Sequence, residues 1–240
     1  MSSNRLPDFP LPDARTLRRL GARLILQSDA EFPAGLRELA DPPSFLAVLG
    51  RLPRSGLAII GSRRPPQEAA DFAFVFAQRV AQPIISGLAA GIDTSAHRGA
   101  LAAGNPTLAY LGNGIANVYP PENRPLAEQI VASGGGVASA EMPDDAVSDR
   151  ALLRRDGFQA AHARAVVLIC SETDGGAMQT MRFAKQLRRP IFALAAKDGT
   201  EYFGNRDALA SGAVTLPWNI EDALRTLHDR TRDQNDASSI

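Results

Sequence analysis

Cysteine and histidine are scarce in this sequence of 240 residues, which contains one cysteine and three histidines. A lone cysteine, Cys170, cannot form a disulfide within the chain, so a disulfide framework and a cysteine-based metal cluster are excluded. The histidines, His97, His162 and His228, are too scattered to have the spacing of metal ligands. The sequence therefore predicts no metal site and no cofactor, and it fits a reducing compartment.

Long apolar runs are also missing. No run is long enough to cross a membrane, and residues 1–12 lack the apolar core of a secretion signal. We therefore predict a cytoplasmic protein without a membrane partner. Residues 1–13 are predicted to form a flexible leader and the polar residues 231–240 a disordered tail, because neither has enough apolar residues to bury.

The chain has no net charge, since 26 basic residues balance 26 acidic ones. A polyanion such as DNA would therefore have to bind through a local basic patch and not through the overall field of the protein. The segment from Arg150 to Arg206 is a candidate, because it has ten basic residues against five acidic ones. Many of these arginines could equally belong to solvated helix faces.

From Leu57 onward, short apolar runs alternate with helical patterns, which is typical of a parallel sheet covered by helices on both faces. The predicted strands cover residues 57–61, 84–86, 107–111, 136–139, 165–170, 191–194 and 214–216. The predicted helices cover residues 66–81, 93–103, 123–133, 150–163, 177–188, 205–211 and 220–230. The pattern predicts an α/β fold with a doubly wound, mainly parallel sheet at residues 56–230.

Residues 14–55 precede this alternation and are too few to hold a core of their own. We predict that they form a short N-terminal extension packed on the main domain. It should contain a short helix at 14–21, an edge strand at 23–26, a helix start at 31–36 and a proline-led turn that enters a strand at 41–50.

The first predicted strand of the main domain ends in Gly61-Ser62-Arg63. A glycine lets backbone N–H groups approach an anion, the following helix presents its positive end, and an arginine supplies paired donors for phosphate. The same tripeptide could be an ordinary strand-to-helix turn, and the pattern alone leaves both interpretations open.

Three later turns resemble this one in their small residues: Ser86 to Asp93, Gly112 to Gly114, and Ser171 to Thr180. In a doubly wound sheet they would lie along one edge and form a groove of N–H donors, which suits a polymer of phosphates. Each has a structural alternative. Asp93 is first a candidate helix N-cap, and His97 a buried structural histidine, since no partner for a catalytic triad stands near it in sequence.

At these residues the chain resembles the DprA/Smf family of DNA-processing proteins. The similar segments are Gly61-Ser62-Arg63, residues 86–93 with 96–101, Tyr119 to Asn123, Gly204-Asn205 and residues 211–213. Order and spacing agree from about Asp29 to Ala213. The resemblance implies an extended Rossmann-like fold that binds single-stranded DNA, acts as a homodimer and loads RecA during natural transformation, without catalytic turnover.

The groove and the resemblance together predict a set of nucleic-acid-binding residues and no catalytic ones. The set is Gly61, Ser62, Arg63, Ser86, Gly87, Leu88, Ala89, Gly91, Asp93, Gly112, Asn113, Gly114, Arg154, Arg155, Gly176 and Thr180.

The chain departs from the family pattern in ways that define a divergent, minimal member. Where relatives have an aromatic-proline pair and then Arg-Asn-Arg, this sequence has Leu152 to Gly157, with Asp156 for the asparagine and Gly157 for the second arginine. A carboxylate would repel phosphates, so part of the DNA surface should be weakened or redirected. Set against the family pattern, we also expect the full N-terminal helical domain and the C-terminal winged-helix domain of many members to be missing.

Two other functions remain open on the sequence. The turn from Asp174 to Thr180 resembles that of the related LOG-type nucleoside monophosphate phosphoribohydrolases, yet Phe183 and Ala184 stand where their catalytic glutamate would follow. Alternatively, the glycine turns could hold one mononucleotide in a nucleotide sensor that acts through a partner.

Overall fold

A nine-stranded, mainly parallel sheet forms the centre of the computed structural model, which describes residues 10–237 and, within them, the side chains up to residue 231. The strands are β1 Arg23–Leu26, β2 Phe45–Gly50, β3 Gly56–Ile60, β4 Ile84–Ser86, β5 Thr107–Tyr110, β6 Gly136–Ser139, β7 Ala163–Leu168, β8 Ile191–Leu194 and β9 Val214–Leu216. Their spatial order is β1-β2-β6-β5-β4-β3-β7-β8-β9. Strands β3 to β9 run parallel to one another, whereas β2 runs antiparallel to both β1 and β6.

Helices cover both faces of this sheet. They are α1 Ala14–Arg19, α2 Gln67–Arg79, α3 Ile92–Ala102, α4 Arg124–Ala132, α5 Asp149–His162, α6 Ala177–Gln186, α7 Phe203–Ala210 and α8 Ile220–Ala237. Short 3-10 helices occupy Ala34–Glu38, Pro121–Asn123 and Thr200–Tyr202. The predicted α/β fold with a doubly wound, mainly parallel sheet is confirmed, and most element ends lie within two residues of their predicted positions.

The strand sequences explain why both faces are covered. In β3, Leu57 and Ile59 pack into the core under α2 and α3, whereas Ala58 and Ile60 pack into the core under α5 and α6. Successive side chains of a strand point to opposite faces, so a continuous apolar run must be buried on both. A third cluster, which includes Leu17 and Ile130, packs α1 and α4 over β5 and β6.

The segment 14–55 contributes more to the fold than a layer packed on the outside. Its strands β1 and β2 extend the common sheet beyond β6, and Phe32 and Leu36 are buried in the same core as β3. The division of the chain at residues 13, 55 and 230 stays a prediction.

The C-terminal helix continues further than the sequence predicts. Helix α8 runs to Ala237, so residues 231–237 are helical, not disordered. Buried Ala223 and Leu227 fix the start of the helix to the core, and no glycine or proline interrupts the polar residues that follow. Residues 238–240 and most of the predicted leader, residues 1–9, lie outside the described residues.

Candidate nucleic-acid interface

The sheet has a topological switch point between β3 and β7. From this pair, β4, β5 and β6 follow on one side and β8 and β9 on the other. Loops that leave the two neighbouring strands diverge there and open a crevice outside the carboxyl ends of the strands. A cavity of about 700 Å³, here called the switch-point cleft, occupies this position. Its walls come from the loops after β3 and β7 and from helices α5 and α6.

The turn after β3 is held by its neighbours on both sides. Ser62 N–H donates to the Cys170 carbonyl at 2.8 Å, and Ile92 N–H donates to the Ser62 carbonyl at 3.1 Å. Gly61 has no room for a side chain, because a Cβ there would lie 2.6 Å from Ile92 Cγ1 and 2.8 Å from the Cys170 carbonyl oxygen. The glycine is therefore required for the close approach of β3, β7 and α3.

Cationic groups stand at the mouth of the cleft. Arg63 and Arg64 both line it and are exposed, and neither guanidinium has an ion-pair partner among the side chains that the structure describes. Across the cavity, α6 begins at Ala177 with Gly176 as its N-cap and no side-chain cap. Space around Gly176 is open. Two arginines and an uncapped helix N-terminus thus face the same cavity, an arrangement suited to an anion.

The loop between β4 and α3 is fixed by buried polar groups. The Nε2 atom of His97 donates to the Gly87 carbonyl, and Asn123 Nδ2 donates to the Leu88 carbonyl at 2.8 Å. Thr94 Oγ1 donates to the Ala89 carbonyl at 2.8 Å. Burial lowers the pKa of His97, which keeps the ring neutral. The histidine and the asparagine of the Pro-Pro-Glu-Asn segment therefore act as structural anchors of this loop.

Asp93 is not the N-cap of α3, contrary to the structural alternative considered for it. Gly91 is the N-cap, with a φ of +80°. The Asp93 carboxylate instead accepts the Ala89 N–H at 3.3 Å and lies 3.4 Å from Arg155 Nη1. Gly87 makes room for this pair, because a Cβ on it would lie 1.5 Å from the same Arg155 nitrogen.

The floor of the cleft is a buried cluster of opposite charges. Arg155 lies between Asp93 and Asp156, with its Nε atom 3.4 Å from Asp156 Oδ1. Burial raises the pKa of Asp156 to about 6; the nearby charge of Asp93 adds to the rise, whereas Arg155 and Arg63 oppose it. Gln159 donates to Asp156 Oδ1 at 3.2 Å, and the Oε1 atom of this buried glutamine has no described hydrogen-bond partner.

Two residues of the altered family segment point away from the cleft. Arg154, predicted to contact nucleic acid, is instead paired with Glu141 at 2.6 Å and lies over the Phe158 ring. A side chain at Gly157 would pack against Phe183 at 3.5 Å. Because successive residues of a helix differ by about 100° in direction, only some of residues 152–157 can face the cavity. Those that do are Leu152, Leu153, Arg155 and Asp156.

The turn from Gly112 to Gly114 lies beside the cleft and not in it. Gly112 and Asn113 line a separate cavity of about 120 Å³, which shares Arg63, Ala89 and Arg155 with the cleft. Asn113 Nδ2 donates to the carbonyls of Gly114 and Asn117, and its own carbonyl accepts from Ser139. The turn is thus fixed mainly by internal contacts.

The loop after β7, the predicted groove turn from Ser171 to Thr180, supplies the opposite wall of the cleft. Asn205 Oδ1 accepts the Ser171 N–H at 3.0 Å, while Asn205 Nδ2 donates to the carbonyls of Ile169 and Leu194. The Gly204-Asn205 segment therefore fixes Ser171 at the edge of the cleft. Cys170 is buried beside it, and burial raises its pKa to about 11.

The sixteen predicted residues are only partly brought together. Those that line the switch-point cleft are Gly61, Ser62, Arg63, Ala89, Asp93, Arg155, Gly176 and Thr180. Leu88, Gly112 and Asn113 line the smaller cavity, whereas Ser86, Gly87, Gly91, Gly114 and Arg154 line neither. Lining residues absent from the predicted set include Arg64, Asp149, Gln159, Ser171, Glu172 and Gln179. Of these, Arg64 is next to Arg63, and Ser171, Glu172 and Gln179 lie in the predicted groove turn from Ser171 to Thr180. Asp149 and Gln159 carry no local signal.

The cleft is not a uniformly basic groove. Three arginines line it, and so do four acidic residues, Asp93, Asp149, Asp156 and Glu172. Arg63 and Arg64 are exposed at its mouth, whereas Arg155 is buried between the Asp93 and Asp156 carboxylates of the floor. Many basic residues of the Arg150 to Arg206 segment lie elsewhere, because Arg164, Arg188 and Arg189 are at the amino ends of β7 and β8.

Two absences apply to the described part of the chain. Between residues 10 and 237, no group of three or more His, Cys, Asp or Glu side chains is arranged to hold a metal ion. The helices in that range are too short or too polar to span a membrane.

Comparisons with known proteins identify one family. The model of the family described as DNA recombination-mediator protein A matches residues 23–228. The Smf protein of Synechocystis is 32% identical over 206 residues, which cover 81% of this chain and 51% of that protein. The Smf protein of Escherichia coli is 30% identical over 85% of this chain and 56% of its own length. The chain thus spans only about half the length of these two curated relatives.

Solved structures agree with these matches. The crystal structure of DNA processing protein A from Streptococcus pneumoniae superposes with a TM-score of 0.78 at 26% identity and covers 89% of this chain and 77% of that chain. The Helicobacter pylori protein, whose structure describes a single-stranded DNA binding mode, superposes with a TM-score of 0.76 at 24% identity, over 88% of this chain and 98% of that chain. At this identity the second likeness concerns the fold alone.

Proposed function

Because the chain belongs to the DNA recombination-mediator protein A family, we propose that it binds single-stranded DNA at the switch-point cleft and acts as a recombination mediator. The phosphates would meet Arg63, Arg64 and the N-terminus of α6, and the apolar side chains of Leu152 and Leu153 would lie beside the bases. The Helicobacter pylori relative is described as binding single-stranded DNA, which agrees with this assignment.

The proposal rests mainly on two exposed arginines, Arg63 and Arg64, which have no described ion-pair partner and lie opposite the N-terminus of α6, where no side chain caps the helix. Each guanidinium can donate two parallel hydrogen bonds to one phosphate, and the N–H groups at the N-terminus of α6 that make no backbone hydrogen bond can donate to a second phosphate. The Asp156 carboxylate below them opposes phosphate binding. We therefore expect weaker contact on the α5 side of the cleft than at the mouth.

Salt-dependent anisotropy titration of a labelled oligo-dT tests this assignment. Substitution Arg63→Ala should weaken binding equally across sequences and lower the slope of log K against log salt by about one, because one phosphate contact is lost. Arg98→Ala is the matched control, since Arg98 is exposed on α3 and lines neither cavity. An Arg63→Ala slope equal to that of wild type would remove Arg63 from the binding site.

The wider role follows from the family and not from the cleft. We propose that the protein forms a homodimer, delivers single-stranded DNA to RecA in the cytoplasm, and performs no catalytic turnover. On α6, Phe183 and Ala184 stand where a glycoside-cleaving relative would need a carboxylate. Co-sedimentation of RecA with DNA-bound protein, together with mass measurement in solution, would test the two partner assignments.

One observation favours a second candidate, a mononucleotide sensor. The cleft has the volume of a small-molecule site, and its floor contains the buried acceptor Gln159 Oε1, which has no described hydrogen-bond partner, beside the Asp156 carboxylate. Such acceptors suit the N–H groups of a nucleobase. Calorimetric titration with the four deoxynucleoside monophosphates would support this candidate if one of them bound tightly and a long oligo-dT did not displace it.

A further inference from the structure

The edge of the sheet opposite the switch-point cleft also carries a cavity, and arginines line it. This cavity, of about 720 Å³, lies where β3, β7 and β8 begin. Arg54, Arg164, Arg188 and Arg189 line it, and no carboxylate among the described side chains does. The chain as a whole has no net charge, so a cavity wall with four arginines and no described acidic residue shows that basic residues are concentrated at this edge.

Two smaller cavities extend this basic wall in both directions. One, of about 430 Å³, shares Arg54 and Arg164 with the central cavity and adds Arg51. The other, of about 380 Å³, shares Arg188 and Arg189. It adds Lys185 and Arg230, and carboxylates are again missing from the described lining of both. The three cavities together are here called the amino-edge surface.

The amino-edge surface is long and continuous. Its lining includes residues just before β4, β5 and β9, so it crosses the six neighbouring strands from β5 to β9. With about 4.8 Å between strands, this corresponds to about 24 Å, or about seven phosphates of one strand of a duplex.

Most of these cations are not used by the fold. Among the described side chains, Arg189 is the one member with an ion pair, to Glu38 at 3.0 Å. Arg164 donates to the Ser55 hydroxyl, and Lys185 to the Ser211 carbonyl. The side chains of Arg54 and Arg188 are exposed and have no described hydrogen bond. The charges of this surface are therefore available to a ligand.

Arg188 ends helix α6 with a φ of +54°, a conformation in which glycine is favoured. Its N–H donates to the Lys185 carbonyl at 3.1 Å, and the Arg189 N–H donates to the Ala184 carbonyl at 2.8 Å, which is the hydrogen-bond pattern of a Schellman C-cap. This cap fixes the backbone of both arginines at the amino edge, and the Arg188 guanidinium is exposed without a described hydrogen bond.

We propose that the amino-edge surface is a second nucleic-acid site, which binds the phosphodiester backbone and does not read bases. Guanidinium groups match phosphate geometry. The surface exposes no aromatic ring among its described lining residues, since Phe192 and His162 are both buried, so bases have nothing to stack on. A protein partner would need an apolar anchor, and the exposed members of this surface are mainly charged or polar.

The test compares two double variants of the full chain with wild type. Arg54→Ala/Arg188→Ala removes two unpaired cations of the amino edge, and Arg63→Ala/Arg64→Ala removes those of the cleft. The control Arg98→Ala/Arg182→Ala changes two exposed arginines that line none of these cavities. Anisotropy titrations over a range of salt, with labelled oligo-dT and a duplex of equal length, give the slope of log K against log salt.

If the proposal is right, the amino-edge variant lowers this slope by about 1.8 with the duplex or about 1.4 with the single strand, because two phosphate contacts are lost. The cleft variant should keep a residual, salt-dependent affinity that disappears when the amino-edge changes are added. The form of DNA with the larger slope change is the preferred ligand.

The proposal would be overturned if the amino-edge variant had the wild-type slope of log K against log salt with both DNAs. It would also be overturned if the slope changed no more than it does in the control variant. The outcome is independent of the function proposed for the cleft. Loss of slope in the cleft variant alone supports the cleft and overturns the amino-edge site, whereas loss in the amino-edge variant alone does the reverse.

Discussion

Replacing Asp156 by asparagine should stabilise the protein at neutral pH and leave it little changed in acid. Asp156 is buried on the floor of the cleft, and burial raises its pKa from 3.8 to about 6. An acid that ionises less readily in the folded state than in the unfolded state destabilises the fold once it is ionised. Asparagine resembles the protonated acid in shape and cannot ionise.

The size of the effect follows from the difference between the two pKa values. A difference of about two units, at 1.36 kcal/mol per unit, corresponds to about 3 kcal/mol. Below about pH 3 the carboxyl is protonated in both states, so variant and wild type should have similar free energies of unfolding. Between about pH 3 and about pH 7 the unfolded chain loses the proton first, and wild type loses stability relative to the variant. Above about pH 7 the difference should be complete.

Urea unfolding followed by circular dichroism at pH 4, 5, 6, 7 and 8 measures this difference. Asp149→Asn is the matched control: Asp149 also lines the cleft but is exposed, so its replacement should change stability by about 0.5 kcal/mol or less. A difference between Asp156→Asn and wild type that stayed constant from pH 4 to pH 8 would refute the reasoning. So would a variant less stable than wild type at pH 8.

Two further substitutions test other parts of the structure. Gly87→Ala would place a Cβ 1.5 Å from Arg155 Nη1 and should lower the free energy of unfolding by about 3 kcal/mol, because it separates a buried ion pair. Gly176→Ala is the control: a Cβ there meets nothing within 4 Å, so the melting temperature should not fall. Equal melting temperatures of the two variants would contradict this reasoning. Arg188→Gly should raise the free energy of unfolding by about 0.5–1 kcal/mol, because glycine adopts a positive φ without the steric strain of a side chain. The control Arg182→Gly lies inside α6 and should lower the free energy of unfolding by about 1 kcal/mol. Equal losses in urea unfolding would show that Arg188 is not strained.

The elements of the fold could be predicted from the sequence because their signals are local. Each strand of the main sheet is a short run of apolar residues, and each helix has its own periodicity, so neither depends on distant residues. The parallel arrangement follows from the alternation of the two. The Gly61-Ser62-Arg63 turn follows one of these strands and lies at the edge of the switch-point cleft.

The helical end of α8 and the course of residues 14–55 were harder to predict. Polar residues 231–237 contain no apolar pattern, so nothing in them distinguishes a helix that continues from a buried start from a disordered tail. Strands β1 and β2 belong to the main sheet because β2 pairs with β6, about ninety residues later in the chain. Pairing over such a distance leaves no mark in the local sequence.

Partners and directions of the charged side chains were decided only by the tertiary structure. Sequence alone determined that Arg154 and Arg155 lie on one helix, but not that Arg154 turns to Glu141 while Arg155 reaches Asp93, 62 residues earlier. Nor did it determine that arginines from four separate segments meet along the amino edge of the sheet. A sequence pattern gives the spacing of residues along one helix or strand. Electrostatic sites form where helices and strands that are distant in sequence come together, and the packing of the whole core determines which of them do.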